Sequence, residues 1–186
     1  MKRTLDVFLA LVVLVVFTVP LIVLALVIKL TSRGPIIYWS DRVGKDNRLF
    51  QMPKLRSLRI DTPQVATHLL TSPEQWYTPI GAFLRKSSLD ELPQLWSILK
   101  GDMSFVGPRP ALFNQTDLIE RRTQHGVHKL LPGITGWAQI NGRDQITDSE
   151  KVKRDVEYLH KRSVAYDLYI LWLTILAVLY KKDITH

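Results

Sequence analysis

Two adjacent carboxylates, Asp90 and Glu91, stand in the stretch SSLDELPQ just ahead of Pro93. An ionised aspartate can attack phosphorus as a nucleophile or bind magnesium. The pair also fits a simpler role, because Ser88 and Glu91 have the spacing of a capping box. Acids at a helix start also complement the helix dipole, which favours the ionised form of Asp90 by about 0.3–1 kcal/mol. These residues alone leave both interpretations open.

Basic residues in neighbouring stretches favour the chemical interpretation, since arginine forks bind phosphate oxygens with two hydrogen bonds. KLRSLR is predicted to place two cations on one face of a strand, and VGPRP holds an arginine between two prolines. Acids beside fixed cations are typical of phosphoryl transfer, in which positioning and charge neutralisation dominate. Any one cation also fits a solvated or lipid-facing surface. The candidates for phosphate and nucleotide contacts are Lys54, Arg56, Arg85, Arg109 and Arg143.

Composition limits the other kinds of chemistry. The 186 residues include no cysteine, which excludes disulfides and cysteine-based metal sites. The formal net charge of +8 favours an anionic partner, such as a phosphorylated substrate, an acidic membrane surface or nucleic acid. The sequence has no Walker loop and no GxGxxG, GxSxG or HExxH motif, and its histidines lack zinc-ligand spacing.

A long apolar segment, residues 7–28, has Thr18 as its only polar side chain. It is long enough to cross a bilayer core, and no small-residue cleavage site follows it. A membrane segment at this place also argues against nucleic acid as the anionic partner. Basic residues flank both ends, so the positive-inside rule gives no orientation. Pro20 removes a backbone hydrogen bond. The segment therefore either spans the membrane with a kink, which these residues alone favour, or bends back with both ends on one side.

The rest of the chain is predicted to be mainly helical with a small β element. Two short strands are expected in 36–44 and 48–58, joined by a turn at GKDN. A C-terminal apolar helix at 167–182 is either buried in the core or lies at a membrane interface. Residues 61–75, 101–110 and 132–142 are predicted loops. The other predicted helices are 80–86, 93–99, 111–124 and 148–162.

The order and spacing of the motifs resemble those of the bacterial sugar transferases in their small single-domain form, the monotopic phosphoglycosyl transferases. The resemblance runs nearly end to end, through DRVG, KLRSLRID, LRKSSLDELPQLWSILKGDMSFVGPRP, LLPGITGWAQINGR, KRDVEYL and AYDLYIL. It implies transfer of a sugar-1-phosphate from a UDP-sugar to a polyprenol phosphate, such as undecaprenyl phosphate, with release of UMP. Mg²⁺ is the implied cofactor. The reaction would be the first membrane step in building a surface glycan.

The resemblance also implies roles for individual acids. Asp90 would be the nucleophile that forms a covalent phosphosugar intermediate, and a magnesium ligand. Asp155 matches a family acid that could place one of the arginines. Glu91 stays open: it could be a base for the second step, or it could orient the metal or Asp90. A phosphate monoester, with a second pKa of about 6, barely needs a base at neutral pH.

The implied fold is predominantly α with a small β-hairpin. Residues 1–30 would form a re-entrant, helix-break-helix membrane segment, broken at Pro20, at the cytoplasmic face of the bacterial inner membrane. Residues 31–186 would form a compact cytosol-facing catalytic domain on which interfacial amphipathic helices pack. The expected partners are the two substrates and membrane lipids, with a possible homodimer and no nucleic acid. The alternative is a non-catalytic membrane-anchored module that binds anionic lipid.

Two positions depart from the family pattern. Val19 stands before Pro20, where the family often has serine, and Asp144 stands where the family often has asparagine. A serine hydroxyl could satisfy a backbone carbonyl that the proline leaves free. Thr18 is the nearest hydroxyl that could replace it.

Overall fold

The computed structural model of the protein describes residues 2–63, 72–142 and 146–180. A 30-residue helix, α1 (Lys2–Thr31), opens the chain. Among the described residues it is the one helix long and apolar enough to cross a membrane. α1 is helical at every position, including Pro20, so the expected break is not present as an interruption of the helix.

Pro20 lacks the N–H that would bond to the Val16 carbonyl four residues earlier. The Thr18 hydroxyl donates to the Leu14 carbonyl at 2.6 Å. Thr18 therefore makes the ordinary bond back to the preceding turn and does not take over the role predicted for it at the proline.

Both ends of α1 belong to buried clusters of the domain that follows. Near the start of the helix, Ala10 is buried in a cluster with Met52. Near its end, Ile28 is buried in a cluster with Leu55. The middle of the helix instead presents exposed side chains, among them Val15, Val16 and Val19.

Polar contacts also hold the first turns of α1. The Lys2 ammonium lies 2.5 Å from the Asp167 carboxylate. The buried Asp6 carboxylate accepts hydrogen bonds from the Ser104 hydroxyl and the Phe105 N–H, both at 3.1 Å. The burial of the Asp6 carboxylate is thus explained by its hydrogen-bond partners in the domain.

The predicted hairpin is confirmed. β1 (Ile37–Val43) pairs antiparallel with β2 (Leu49–Leu55), and Ile37 lies opposite Leu55. The turn between the strands is a 3₁₀ turn, Lys45–Asn47, in which Asp46 and Asn47 have positive φ. Met52, Pro53 and Leu55 of β2 are buried, and Lys54 between them is half-buried.

Three further strands lie in segments predicted to be loops or helix: β3 (Ser104–Val106), β4 (Ala111–Leu112) and β5 (Gly133–Thr135). β4 pairs antiparallel with β1, and β3 pairs parallel with β5. The prediction of a helix from residue 111 is therefore wrong at its start, because residues 111–112 complete the edge of the first sheet.

The other α-helices of the described residues are α2 (Gly81–Lys86), α3 (Leu95–Lys100), α4 (Thr116–Gln124), α5 (Trp137–Ile140), α6 (Asp148–Lys161) and α7 (Val164–Leu179). Within α7, Ile170 is fully buried against Tyr158 and Leu130. Its outer face is apolar and exposed, so α7 is not a core helix on all sides. The exposed side chains of that face are Leu168, Tyr169, Trp172, Ile175 and Val178.

Candidate active site

Asp90 and Glu91 lie in a 3₁₀ turn, Leu89–Gln94, that leads directly into α3. Ser88 precedes the turn with a left-handed backbone, φ 55°, and makes no side-chain cap hydrogen bond. The predicted capping box of Ser88 and Glu91 is therefore wrong. The predicted helix start at Pro93 is also displaced, because Pro93 lies inside the 3₁₀ turn.

Among the described residues, Glu91 instead pairs with two cations from distant parts of the chain. Its Oε1 accepts from Lys54 Nζ at 2.9 Å and from Arg109 Nη2 at 3.1 Å. The Glu91 side chain is buried, while those of Lys54 and Arg109 are 16% and 28% exposed. One carboxylate therefore holds together two predicted phosphate-binding residues that keep some access to solvent.

Asp90 is 4% exposed, and its Oδ1 has no hydrogen-bond partner within the described residues. Burial raises the pKa of Asp90. Lys54 is the strongest charge acting the other way, and Glu91 raises the pKa further. Burial therefore opposes the ionised form of Asp90 that the helix start was expected to favour, and the surrounding cations act against this desolvation cost.

Lys54 reaches this position from β2, whose neighbouring strand β1 adds a cation that the sequence reasoning missed. Arg42 donates to the Pro110 carbonyl at 3.2 Å and to the Ser40 hydroxyl at 3.0 Å. Burial lowers the pKa of Lys54, and the charges of Arg109 and, to a smaller extent, Arg42 lower it further. Arg42 belongs to the DRVG motif, which indicated the family without indicating this role.

Arg85 joins the site from the last turn of α2. Its guanidinium carbon lies 5.8 Å from the centre of the Tyr77 ring, a cation–π distance. Its charge acts to lower the pKa of Asp90. Three of the predicted cations, on β2, α2 and the VGPRP loop, therefore surround the acidic pair.

Arg56 has a different position from the one predicted. It follows the last residue of β2, so Lys54 and Arg56 do not share a strand face. Its guanidinium is buried and donates to the carbonyls of Ser32 and Arg33, with a further bond of 2.7 Å to the Ser32 hydroxyl. These contacts hold the C-terminal end of α1.

Among the described residues, the ion-pair partner of Asp155 is not one of the predicted cations. Asp155 pairs with Arg122, a residue of α4 that the sequence reasoning did not select, and Arg122 in turn contacts the main chain of Arg109. The other predicted phosphate ligand, Arg143, and its neighbour Asp144 lie outside the described residues.

The donor set is compatible with the magnesium ion that the family resemblance implies. Asp90 Oδ1 is a buried carboxylate oxygen with no partner among the described residues, and such hard oxygens are the ligands Mg²⁺ prefers. Within the described residues no cluster of three His, Cys, Asp or Glu side chains occurs. A magnesium site made of one or two carboxylates and substrate phosphates does not need such a cluster.

Residues 1–181 match the family model described as bacterial sugar transferase. The chain is 37% identical over 182 residues to the UDP-glucose:undecaprenyl-phosphate glucose-1-phosphate transferase of Escherichia coli (strain K12), covering 94% of this chain and 39% of the relative. It is 34% identical over 183 residues to the UDP-N-acetylgalactosamine-undecaprenyl-phosphate N-acetylgalactosaminephosphotransferase of Aeromonas hydrophila, covering 96% and 43%.

A third relative is the uncharacterized sugar transferase EpsL of Bacillus subtilis (strain 168), 38% identical over 184 residues that cover 99% of this chain and 90% of the relative. The chain thus spans less than half the length of the first two relatives and nine tenths of the third. Because the family model matches almost the whole sequence, the chain belongs to the bacterial sugar transferase family.

Proposed function

We propose that this protein transfers a sugar-1-phosphate from a UDP-sugar to undecaprenyl phosphate, with Asp90 as the nucleophile. The relatives named after this reaction support the substrate classes. The observation that most directly supports Asp90 is its buried Oδ1, which has no partner among the described residues and lies among cations. The relatives differ in the sugar they carry, so the sugar is left to experiment.

The proposed chemistry has two displacements at one phosphorus atom. A carboxylate oxygen of Asp90 attacks the phosphorus that bears the sugar, and the bond to the UMP oxygen breaks. A phosphate oxygen of the lipid then attacks the same phosphorus, and the bond to Asp90 breaks, which regenerates the carboxylate. A bound Mg²⁺, with Asp90 as a ligand, would supply charge neutralisation at the diphosphate.

Lys54 and Arg109 have the charge and position to receive the phosphate oxygens. Glu91 holds both by its Oε1, and positioned cations that neutralise developing charge are the main source of catalysis in phosphoryl transfer. Glu91 in this proposal is a positioning residue rather than a base. Its carboxylate keeps two like charges side by side in a partly buried site.

For the membrane segment we propose the re-entrant geometry, with both ends of α1 at the cytoplasmic face of the inner membrane. Ala10 and Ile28 would lie about 27 Å apart in a straight helix. The core cluster that buries Ala10 contains Met52, and the cluster that buries Ile28 contains Leu55. Met52 and Leu55 are only three residues apart in β2, a distance of about 10 Å. This difference supports a bend near Pro20, and the exposed apolar face of α7 would then lie at the interface.

The decisive experiment uses purified protein in nanodiscs with Mg²⁺, undecaprenyl phosphate and a panel of UDP-sugars. UMP release is expected from at least one sugar, and omission of the lipid should leave a phosphosugar adduct visible by intact mass. Asp90→Asn should abolish both signals, while Asp117→Asn on the exposed side of α4 should change neither. Turnover in Asp90→Asn would refute the nucleophile role.

The same preparation tests the alternative of a non-catalytic lipid-binding module. Such a module would release no UMP from any UDP-sugar. It would also bind anionic vesicles in a salt-sensitive manner that Asp90→Asn leaves unchanged.

A further inference from the structure

A buried ion pair joins α4 to α6 behind the proposed site. Arg122 Nε and Nη2 both donate to Asp155 Oδ2, at 2.9 and 2.7 Å. Arg122 is 8% exposed and Asp155 1% exposed. Arg122 makes a third hydrogen bond, in which its Nη1 donates to the main-chain carbonyl of Arg109 at 2.8 Å.

The loop that contains Arg109 has few main-chain hydrogen bonds of its own. Pro108 and Pro110 flank Arg109 and have no N–H to donate. On one side the loop is tied to β5, where Gly107 N donates to the Thr135 carbonyl and Gly133 N donates to the Pro108 carbonyl, both at 2.9 Å. Arg122 therefore holds the loop at the residue whose side chain contacts Glu91.

A buried ion pair is a weak device for stability, because desolvation offsets most of the attraction between the charges. A role limited to joining α4 and α6 also does not account for the hydrogen bond from Arg122 to the Arg109 carbonyl. The geometry is better explained by a series of contacts. Asp155 orients Arg122, Arg122 fixes the Arg109 main chain, and the Arg109 side chain reaches Glu91.

We propose that Arg122 and Asp155 are positioning residues that set the Arg109 guanidinium for the anionic substrate without touching that substrate themselves. The inference rests on the proposed function, since it assigns Arg109 a phosphate to bind. It extends that function to a residue, Arg122, that neither the sequence motifs nor the acidic pair single out.

The test is a double-mutant cycle on UMP release, with Arg122→Met, Arg109→Ala and the double variant. Loss of a charge-assisted hydrogen bond predicts that Arg122→Met lowers kcat/KM about 10- to 100-fold, mainly through KM for the UDP-sugar. If Arg122 acts through Arg109, the double variant should be no worse than Arg109→Ala within about twofold. Multiplication of the two single losses would overturn the proposal.

Arg121→Met is the matched control, because it removes the same charge from the neighbouring, exposed position of α4. It should leave kcat/KM within about twofold of the wild type. Should Arg122→Met fail to fold, Arg122→Lys takes its place in the same cycle. Lysine keeps the charge for Asp155 but has no planar fork with which to reach the Arg109 carbonyl at the same time.

Hydrogen exchange provides a reading that does not depend on activity. Amide exchange in a peptide spanning residues 104–112 should be faster in the Arg122 variant than in the wild type and unchanged in Arg121→Met. Equal exchange in all three proteins would overturn the positioning role. If the wild type released no UMP from any UDP-sugar, the proposed function would fail, and this measurement would still decide whether Arg122 orders the loop.

Discussion

Replacing Glu91 by glutamine isolates the charge that holds two cations in the proposed site. Glutamine keeps the shape of the side chain and one acceptor oxygen but carries no charge. Lys54 and Arg109, which now share Glu91 Oε1 at 2.9 and 3.1 Å, would lose the negative charge that both contact. We expect Glu91→Gln to lower the free energy of unfolding and to weaken binding of the UDP-sugar.

The size of the effect follows from the burial of the three side chains. Breaking a fully buried ion pair costs about 3–5 kcal/mol. Glutamine still accepts a hydrogen bond, and the Lys54 and Arg109 side chains are 16% and 28% exposed, so we expect about 2–3 kcal/mol. For a chain of this length that corresponds to an unfolding temperature lower by about 5–10 °C.

The assay measures thermal unfolding by intrinsic fluorescence, together with UMP release between pH 6 and 9. As a positioning residue, Glu91 should give a variant with a raised KM for the UDP-sugar and a loss of activity that is constant across this pH range. As a general base it should give a loss that disappears above the second pKa of the lipid phosphate, about 6. Glu120→Gln, on the exposed face of α4, is the control.

Two results would refute this reasoning about Glu91. One is an unfolding temperature that stays within 1 °C of the wild type, because the buried charge would then not hold the two cations. The other is an activity loss that recovers at high pH, because Glu91 would then act as a base.

Three further predictions concern Asp90, Arg56 and α1. In Mg²⁺-free buffer at pH 7.5, Asp90→Asn should unfold at a higher temperature than the wild type. Burial raises the pKa of Asp90 in the folded state above its value in the unfolded state. The wild type therefore loses stability as the pH rises from the unfolded-state pKa of Asp90 to its folded-state pKa. The difference in unfolding temperature between Asp90→Asn and the wild type should increase as the pH is raised from 4 to 8. A lower unfolding temperature for Asp90→Asn at pH 7.5 would contradict this prediction. Arg56→Gln should speed hydrogen exchange at the end of α1, where its bonds to Ser32 and Arg33 are lost, with KM for the UDP-sugar within threefold of the wild type; Arg59→Gln is the exposed control, and a tenfold rise in KM would show that Arg56 binds substrate. Cysteines added before Lys2 and after Lys29 should react with an impermeant thiol reagent from the same side of the membrane, whereas labelling from opposite sides would establish a spanning helix.

Local patterns along the chain were sufficient for the elements that depend on neighbouring residues. The apolar run of 7–28 predicted the long helix α1, and the alternating stretches around GKDN predicted the hairpin of β1 and β2. The motif order predicted the family that the comparison confirms. Each of these signals is contained in a continuous stretch, where helix and strand periodicity and turn residues act directly.

Partner choice was decided only by the tertiary structure. Glu91 has the spacing of a capping residue, yet two of its partners, Lys54 and Arg109, are 37 residues before it and 18 residues after it. Arg56 stands two residues from Lys54 in sequence, but it lies past the end of β2 and its guanidinium is used at the end of α1.

The same holds for Asp155 and Arg122, which meet across 33 residues because α4 packs on α6. Sequence spacing determines which side chains share a face of one helix or strand. It does not determine which faces meet when separate elements pack, and burial, which sets the charge environment of Asp90, exists only after they have packed. The sequence therefore contains the residue types that the proposed phosphoryl transfer needs. The fold decides which of them lie around Asp90 and Glu91 and which, like Arg56, lie elsewhere.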